Sequence, residues 1–313
     1  MRAAGFPQAA ALALLALSLI PFGACSRDGE PRNSAATGSP ELAPAARTDL
    51  LAAIAAVRNG RPELALQHLQ PWLDGPDTTP EHEFVAAQAC YDLQRHVEAI
   101  ERFTRAVAAR PEFLATSSSL GFAHYKLGQF AEARACFRQI VEAEPGAYKA
   151  HYGLALVEFS EGHLAAAHAA VTAALDLQPD YLKALYLLGR IRQAEGHPGH
   201  ALDLYTHVLE RWPSHEEALY QLAQVQTQLG RHAEAEATLE RRAAVYALKE
   251  ALGALVLQVR AGQDSVAIRL QQVQLQEALG EHEEALRAAR AGLAAFPEDR
   301  ALAQAVARLT RQD

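Results

Sequence analysis

The chain has 313 residues, half of them apolar, with 7% aromatic residues and a formal net charge of -8. Lys and Arg are scattered among Asp and Glu without the basic stripe that nucleic-acid binding requires, which excludes that class of partner. Alanine and leucine run throughout and give up little rotamer entropy in a helix, so the composition points to an all-α chain.

In chain order, residues 1–25 stand apart. Arg2 precedes a largely apolar run from Ala9 to Ile20, and Gly23 and Ala24 lead to Cys25. That is the layout of an export signal, which takes no part in the fold. The run is too short, and too broken by Pro21, to favour a permanent membrane span of about 20 residues. Residues 22–25, Phe-Gly-Ala-Cys, resemble a bacterial lipobox, whose cysteine is lipidated and becomes the mature N-terminus; Phe22 stands where such signals usually carry Leu. A simply cleaved secretory peptide and an uncleaved anchor are the other two readings. The expected location is therefore the periplasmic face of a bacterial outer membrane, by a lipid on Cys25, or the soluble periplasm. Residues 26–47 are dominated by Pro, Ser, Gly and Ala and lack an apolar period, as in a disordered tether of about 70 Å at full stretch.

From residue 48 to 313 the sequence repeats. Pro111, Pro145, Pro179 and Pro213 are spaced by 34 residues, and Gly60, Gly128, Gly162, Gly196 and Gly230 keep the same beat, with Gln94 in the missing slot. Ala65, Ala99, Ala133, Ala167, Ala201 and Ala235 follow it without a gap. Each residue type has a physical task. Glycine ends a first helix where a left-handed residue is needed. Alanine lets the partner helix approach, and proline stops the second helix for want of an N–H. Asp180 and Ser214, after two of the prolines, are expected to cap the helices that follow.

The units in frame are 46–79, 80–113, 114–147, 148–181, 182–215 and 216–249, then 266–299 and a cap at 300–313. Pro71 lies inside the expected second helix of the first unit, where it predicts a kink. Ala247 occupies the proline slot of the sixth unit, and an apolar stripe continues from Val245 to Val259. The simplest reading is one helix from about His232 to Ala261, extending the unit to about 262; the rival is an extra short helix broken near Gly253.

This pattern resembles the tetratricopeptide repeat family across about residues 46–299. Its marks appear as Leu120, Gly121, Gly128, Ala133, Phe137 and Pro145, and again as Leu185, Leu188, Gly189, Gly196, Ala201, Tyr205 and Pro213. The resemblance implies an α-solenoid, a right-handed superhelix of about seven helix-turn-helix repeats with a C-terminal capping helix. It also implies a groove lined by first helices, here Phe84, Tyr91, Phe122, Tyr125, Tyr152, Phe159, Tyr186 and Tyr220, interleaved with Lys126, Lys149, Lys183 and Arg190. Rings with basic neighbours suit an extended or helical peptide carrying acidic residues; the same rings also suit packing between neighbouring helices. The Lys–Asn–Arg set by which some family members hold a C-terminal carboxylate is missing, since Leu50, Ile54, Val85, Ala115 and Ser119 occupy its slots.

No catalytic motif, cofactor fingerprint or metal-ligand spacing occurs, so no enzyme activity, cofactor or metal is expected. His96, His163, His197, His232 and His282 lie at inter-helix turns, too far apart from repeat to repeat to share a zinc ion. Cys90 and Cys136 are expected as buried free thiols rather than a disulfide. The functional expectation is a scaffold or adaptor for protein partners in envelope assembly or secretion. A periplasmic chaperone or pilotin-like factor for one client, and a regulatory subunit of an envelope enzyme complex, are the alternatives. Self-association through the helix at 232–261 is a further expectation.

Overall fold

A computed structural model describes residues 43–311, so the export-signal segment, Cys25 and nearly all of the expected tether lie outside the described residues. The chain divides into two compact units, one ending at Val157 and one beginning at Glu158. The first holds α1 (Pro44–Arg58), α2 (Pro62–Leu69), a 3-10 turn (Gln70–Trp72), α3 (Pro80–Asp92), α4 (His96–Ala109), α5 (Leu114–Lys126), α6 (Phe130–Ala143) and most of α7 (Tyr148–Ser160). The second holds the end of α7 and α8 (Leu164–Leu177), α9 (Leu182–Ala194), α10 (Pro198–Arg211), α11 (Glu216–Gln228), α12 (His232–Arg260), α13 (Val266–Ala278), α14 (His282–Ala295) and α15 (Arg300–Leu309). No strand occurs among the described residues.

The stops are those the residue types dictate. Gly60, Gly128, Gly162, Gly196, Gly230 and Gly280 all have φ between 65° and 82°, and Gln94 takes the same left-handed conformation at 62°. At Gly128 the N–H donates to the Tyr125 carbonyl and the next N–H, of Gln129, reaches back to His124, both at 3.0 Å. That double closure satisfies the carbonyls a helix end leaves open. The prolines act one residue upstream of themselves. Arg110, Glu144, Gln178 and Trp212, each preceding a proline, have φ near -140° and ψ from 75° to 87°. A pre-proline residue is driven out of the helical region by the ring that follows it, so α4, α6, α8 and α10 all end two residues before their proline.

Three sequence expectations need correction. Helix α1 begins at Pro44, with Ala46 buried, so the last residues of the expected tether are in the fold. Pro71 does not kink a helix: α2 ends at Leu69 and the chain passes into the 3-10 turn, because the ring denies the next ladder bond. Asp180 and Ser214 are not the caps. The N-cap residues are Tyr181 and His215, and the His215 Nδ1 accepts from the Ala218 N–H at 3.1 Å.

In the first unit the alanine positions 65, 99 and 133 are fully buried, as their spacing requires. The Phe137 ring lies between two glycines: a Cβ added at Gly121 or Gly153 would come within 2.9 or 2.5 Å of it. Polar groups join α3 to α4. Glu83, almost fully buried, accepts from Arg102 at 3.1 Å and Arg105 at 2.8 Å, and Arg105 also pairs with Asp74 at 2.7 Å. Cys90 is buried, Cys136 half-buried, and both are free thiols; burial pushes the Cys90 thiol up to about 11.

In the second unit α12 is a single helix of 29 residues, and Gly253 does not break it. Its inner face, Val245 with Leu248 and Leu252, packs into a core with Tyr205, Leu209, Leu219, Leu222 and Leu279. The hairpin of α13 and α14 folds back so that its turn meets the loop between α10 and α11. Ser214, fully buried, donates to Glu281 at 2.8 Å, and a Cβ on Gly280 would lie 3.2 Å from the Pro213 ring. Lys249 holds the same loop through the Ser214 carbonyl at 2.8 Å and Glu216 at 3.0 Å. Asp299 caps α15, which closes the array with Leu302 and Leu309 buried. Among the described residues, no helix is long and apolar enough to cross a membrane.

Candidate functional site

The twelve groove positions fall into three environments. Phe84, Tyr91 and Phe122 are buried, which corrects their assignment as groove lining. Phe84 packs between Phe103 at 5.8 Å and Phe113 at 6.1 Å, Tyr91 against His96 at 5.1 Å, and Phe122 against Phe137 at 4.8 Å. Each ring sits on the side of its helix that meets a second helix, so its area is spent on the array.

The remaining positions of the first unit lie on α5 and α7. Tyr125 is half-buried against Phe130, and Lys126 beside it is exposed. Tyr152 is half-buried 6.4 Å from Phe122. Lys149, one helical turn before Tyr152, is half-buried, and burial lowers its ammonium pKa below the ordinary lysine value.

The five positions of the second unit lie on α9, α11 and the end of α7. The Arg190 guanidinium lies over the Phe159 ring at 4.6 Å, a cation–π contact that fixes the charge above an apolar base. Tyr186 packs against Tyr205 at 5.8 Å and His215 at 4.7 Å; burial pushes its phenol up to about 12, with the charge of Arg190 opposing. Lys183 is half-buried on the same helix. Tyr220 is 42% exposed, and Arg242 stands over its ring at 5.2 Å. Arg242 comes from α12, a second helix, so a reading confined to first helices misses it. His215 completes this region from below. Burial lowers its pKa, in the same sense as the helix-capping bond that its Nδ1 accepts from the Ala218 N–H.

One group of metal-ligand type occurs among the described residues. Glu158, Glu161 and His163 bring three ligand atoms within 4.8 Å of one another around the turn at Gly162. His163 Nδ1 already engages Glu158 at 2.9 Å, and the His163 side chain is 60% exposed. Comparing turn histidines with each other missed this group, because its other members are carboxylates of the same turn. A hollow of about 370 Å³ between α13 and α15 is lined by Leu270, Val273, Gln274, Ala305 and Arg308 and holds no nucleophile or acid–base pair. What the surfaces offer chemically is burial of apolar groups beside fixed cations.

Family models described as tetratricopeptide repeat match residues 50–112, 119–181 and 192–259. No curated protein matches the chain. A tetratricopeptide repeat protein from Parabacteroides merdae is 12% identical with a TM-score of 0.51, over 85% of this chain and 99% of that one. TTC0263, a thermophilic TPR protein of Thermus thermophilus, is 21% identical with a TM-score of 0.50, over 58% of this chain and 98% of its own. The APC/C hetero-tetramer Cut9–Hcn1 gives a TM-score of 0.56 at 11% identity, over 83% of this chain and 48% of that one. At such identities the likeness is one of fold.

Proposed function

The chain belongs to the tetratricopeptide repeat family, and we propose that it is a protein-interaction scaffold of the bacterial envelope whose second unit binds acidic, partly apolar segments of its partners. The observation that carries the binding reading is the alternation of rings and cations on the second unit: Phe159 beneath Arg190, Tyr186 beside Lys183, and Tyr220 beneath Arg242. Rings give large contact area at low entropy cost, and cations held over them are already desolvated on one side. A peptide carboxylate next to an apolar side chain satisfies both elements at once, with charge complementarity selecting the partner.

The envelope reading rests on the export-signal layout of residues 1–25 and the lipobox-like segment ending at Cys25. A lipid there, followed by the Pro- and Ser-rich segment, would hold the repeats at a membrane surface. Replacing Cys25 by Ser is expected to move the protein from the membrane to the soluble fraction; retention in the membrane would overturn the anchor. For the binding surface, selection from a random-peptide display library on the full chain is expected to enrich acidic residues beside Leu, Phe or Trp. The Lys183→Glu, Arg190→Glu double variant is expected to lose that enrichment. Enrichment that survives in the variant, or no enrichment in the parent, would overturn the reading.

A further inference from the structure

Helix α12 carries an uncovered face that its repeat position would normally bury. Phe103, Phe137, Val171 and Tyr205 recur at intervals of 34 residues, and all are fully buried. The next residue on that beat is Leu239, and it is 44% exposed. The exposure goes with the length of the helix. With Ala247 in the stop position α12 runs on, and the following hairpin packs back against the Pro213–Ser214 loop, so that among the described residues the outer side of α12 at Leu239 stays exposed. Tyr246 and Leu257 lie on the same side and are 54% and 60% exposed. Three large apolar side chains on one face of one helix are more than scattered surface residues.

The spacing along this face alternates between 3 and 4 residues from Glu236 to Arg260, the heptad rhythm of a helix that pairs with another over about 36 Å. Its order is self-complementary when read in opposite directions about Leu248. Leu239 then meets Leu257, and Ala243 meets Gly253, a small-on-small layer that lets backbones approach. Tyr246 meets Glu250, which it already reaches within its own helix through a hydrogen bond of 3.1 Å. Glu236 meets Arg260, opposite charges at the two ends of the seam. In the next row Ala247, Ala254 and Ala261 are also small and exposed. Lys249, at the flank, is neutralised by Glu216 at 3.0 Å, so it brings no bare charge toward its own copy.

We propose that α12 is the interface of a two-fold symmetric homodimer, pairing antiparallel with α12 of a second copy. Such an isologous contact requires one patch to complement itself, and each layer above meets that requirement. A partner of different sequence would need only its own complement and would not call for the Glu236–Arg260 and Leu239–Leu257 symmetry. A one-helix seam is at the small end of specific interfaces, so the dimer is expected to form in the micromolar range.

The test is sedimentation equilibrium of the full chain over a concentration series, with far-UV circular dichroism as a check on helicity. The parent is expected to approach twice the monomer mass. Leu257→Glu is expected to weaken association by about thirtyfold or more without loss of helicity, since the residue is exposed in the monomer. Glu236→Arg and Arg260→Glu should each weaken it by about tenfold, and the double reversal should recover most of the loss because the pair is inverted on both sides. A parent that stays monomeric throughout, or a dimer indifferent to Leu257→Glu, overturns the proposal. Failure of the double reversal to recover overturns the antiparallel register. The peptide surface of the second unit does not enter this test.

Discussion

Helices α10 and α12 are both second helices of their repeats, and they start alike and end differently. Both bury an alanine near the start, Ala201 and Ala235. In α10 the next marked position, Tyr205, is fully buried, and the helix ends at Arg211 because Pro213 forces Trp212 to φ -136° and ψ 75°. In α12 the stop position is Ala247, the helix continues to Arg260, and Leu239, at the place of Tyr205, is 44% exposed. Where the second helix ends on time its marked residue is covered, and where it runs on that residue is left exposed. The regular repeat makes an interior, and its interruption makes a surface.

The strongest way to break that contrast is to restore the stop. Ala247→Pro should remove a ladder bond and clash with the turn before it, costing roughly 3 kcal/mol or more. It should also detach Leu248 and Leu252 from the core they share with Tyr205 and Leu279. Thermal unfolding followed by circular dichroism would register this as a large fall in Tm; an unchanged Tm would mean that the continuity of α12 is incidental.

Two glycine substitutions should then move stability in opposite directions. A Cβ at Gly189 would lie 2.6 Å from the Tyr205 ring, so Gly189→Ala should cost about 1–3 kcal/mol by overpacking. At Gly253 a Cβ meets nothing within 4 Å, and Gly253→Ala in the interior of α12 should stabilise by about 0.5–1 kcal/mol. Urea unfolding of both variants separates a packed repeat from an open face. Equal signs would erase the distinction.

Gln94 sharpens the comparison within the regular part. It holds φ 62° where the other repeat turns use glycine. Gln94→Gly should therefore remove about 1 kcal/mol of left-handed strain, offset in part by the greater freedom of glycine in the unfolded chain. A small rise in the urea midpoint is the expected result, and a fall would show that the Gln94 side chain contributes more than its backbone costs.

The repeat was legible because its punctuation is backbone chemistry, local to each turn. Pro111, Pro145, Pro179 and Pro213 act on the residue just before them, and even Gln94 could be placed by its slot. Helix caps and ring directions were less legible, since they depend on packing between segments distant in sequence. Ser214 reads as a cap by type, yet its hydroxyl goes to Glu281, 67 residues on, and His215 caps instead. Phe84 and Phe122 look like groove residues by position, but neighbouring helices claim their faces. Arg242 over Tyr220 joins the two helices of one hairpin, α11 and α12, and a reading of first helices alone does not reveal it.

The scaffold reading is tested most directly by equilibrium titration of the full chain with two fluorescent peptides of equal length, one alternating Glu and Leu and one alternating Lys and Leu. The acidic peptide should bind the parent more tightly, with the difference fading as salt screens the cations. The Lys183→Glu, Arg190→Glu variant should reverse the preference. If the parent does not distinguish the two peptides, or the variant keeps the parent's preference, the ring-and-cation surface of the second unit is not a binding site for acidic segments.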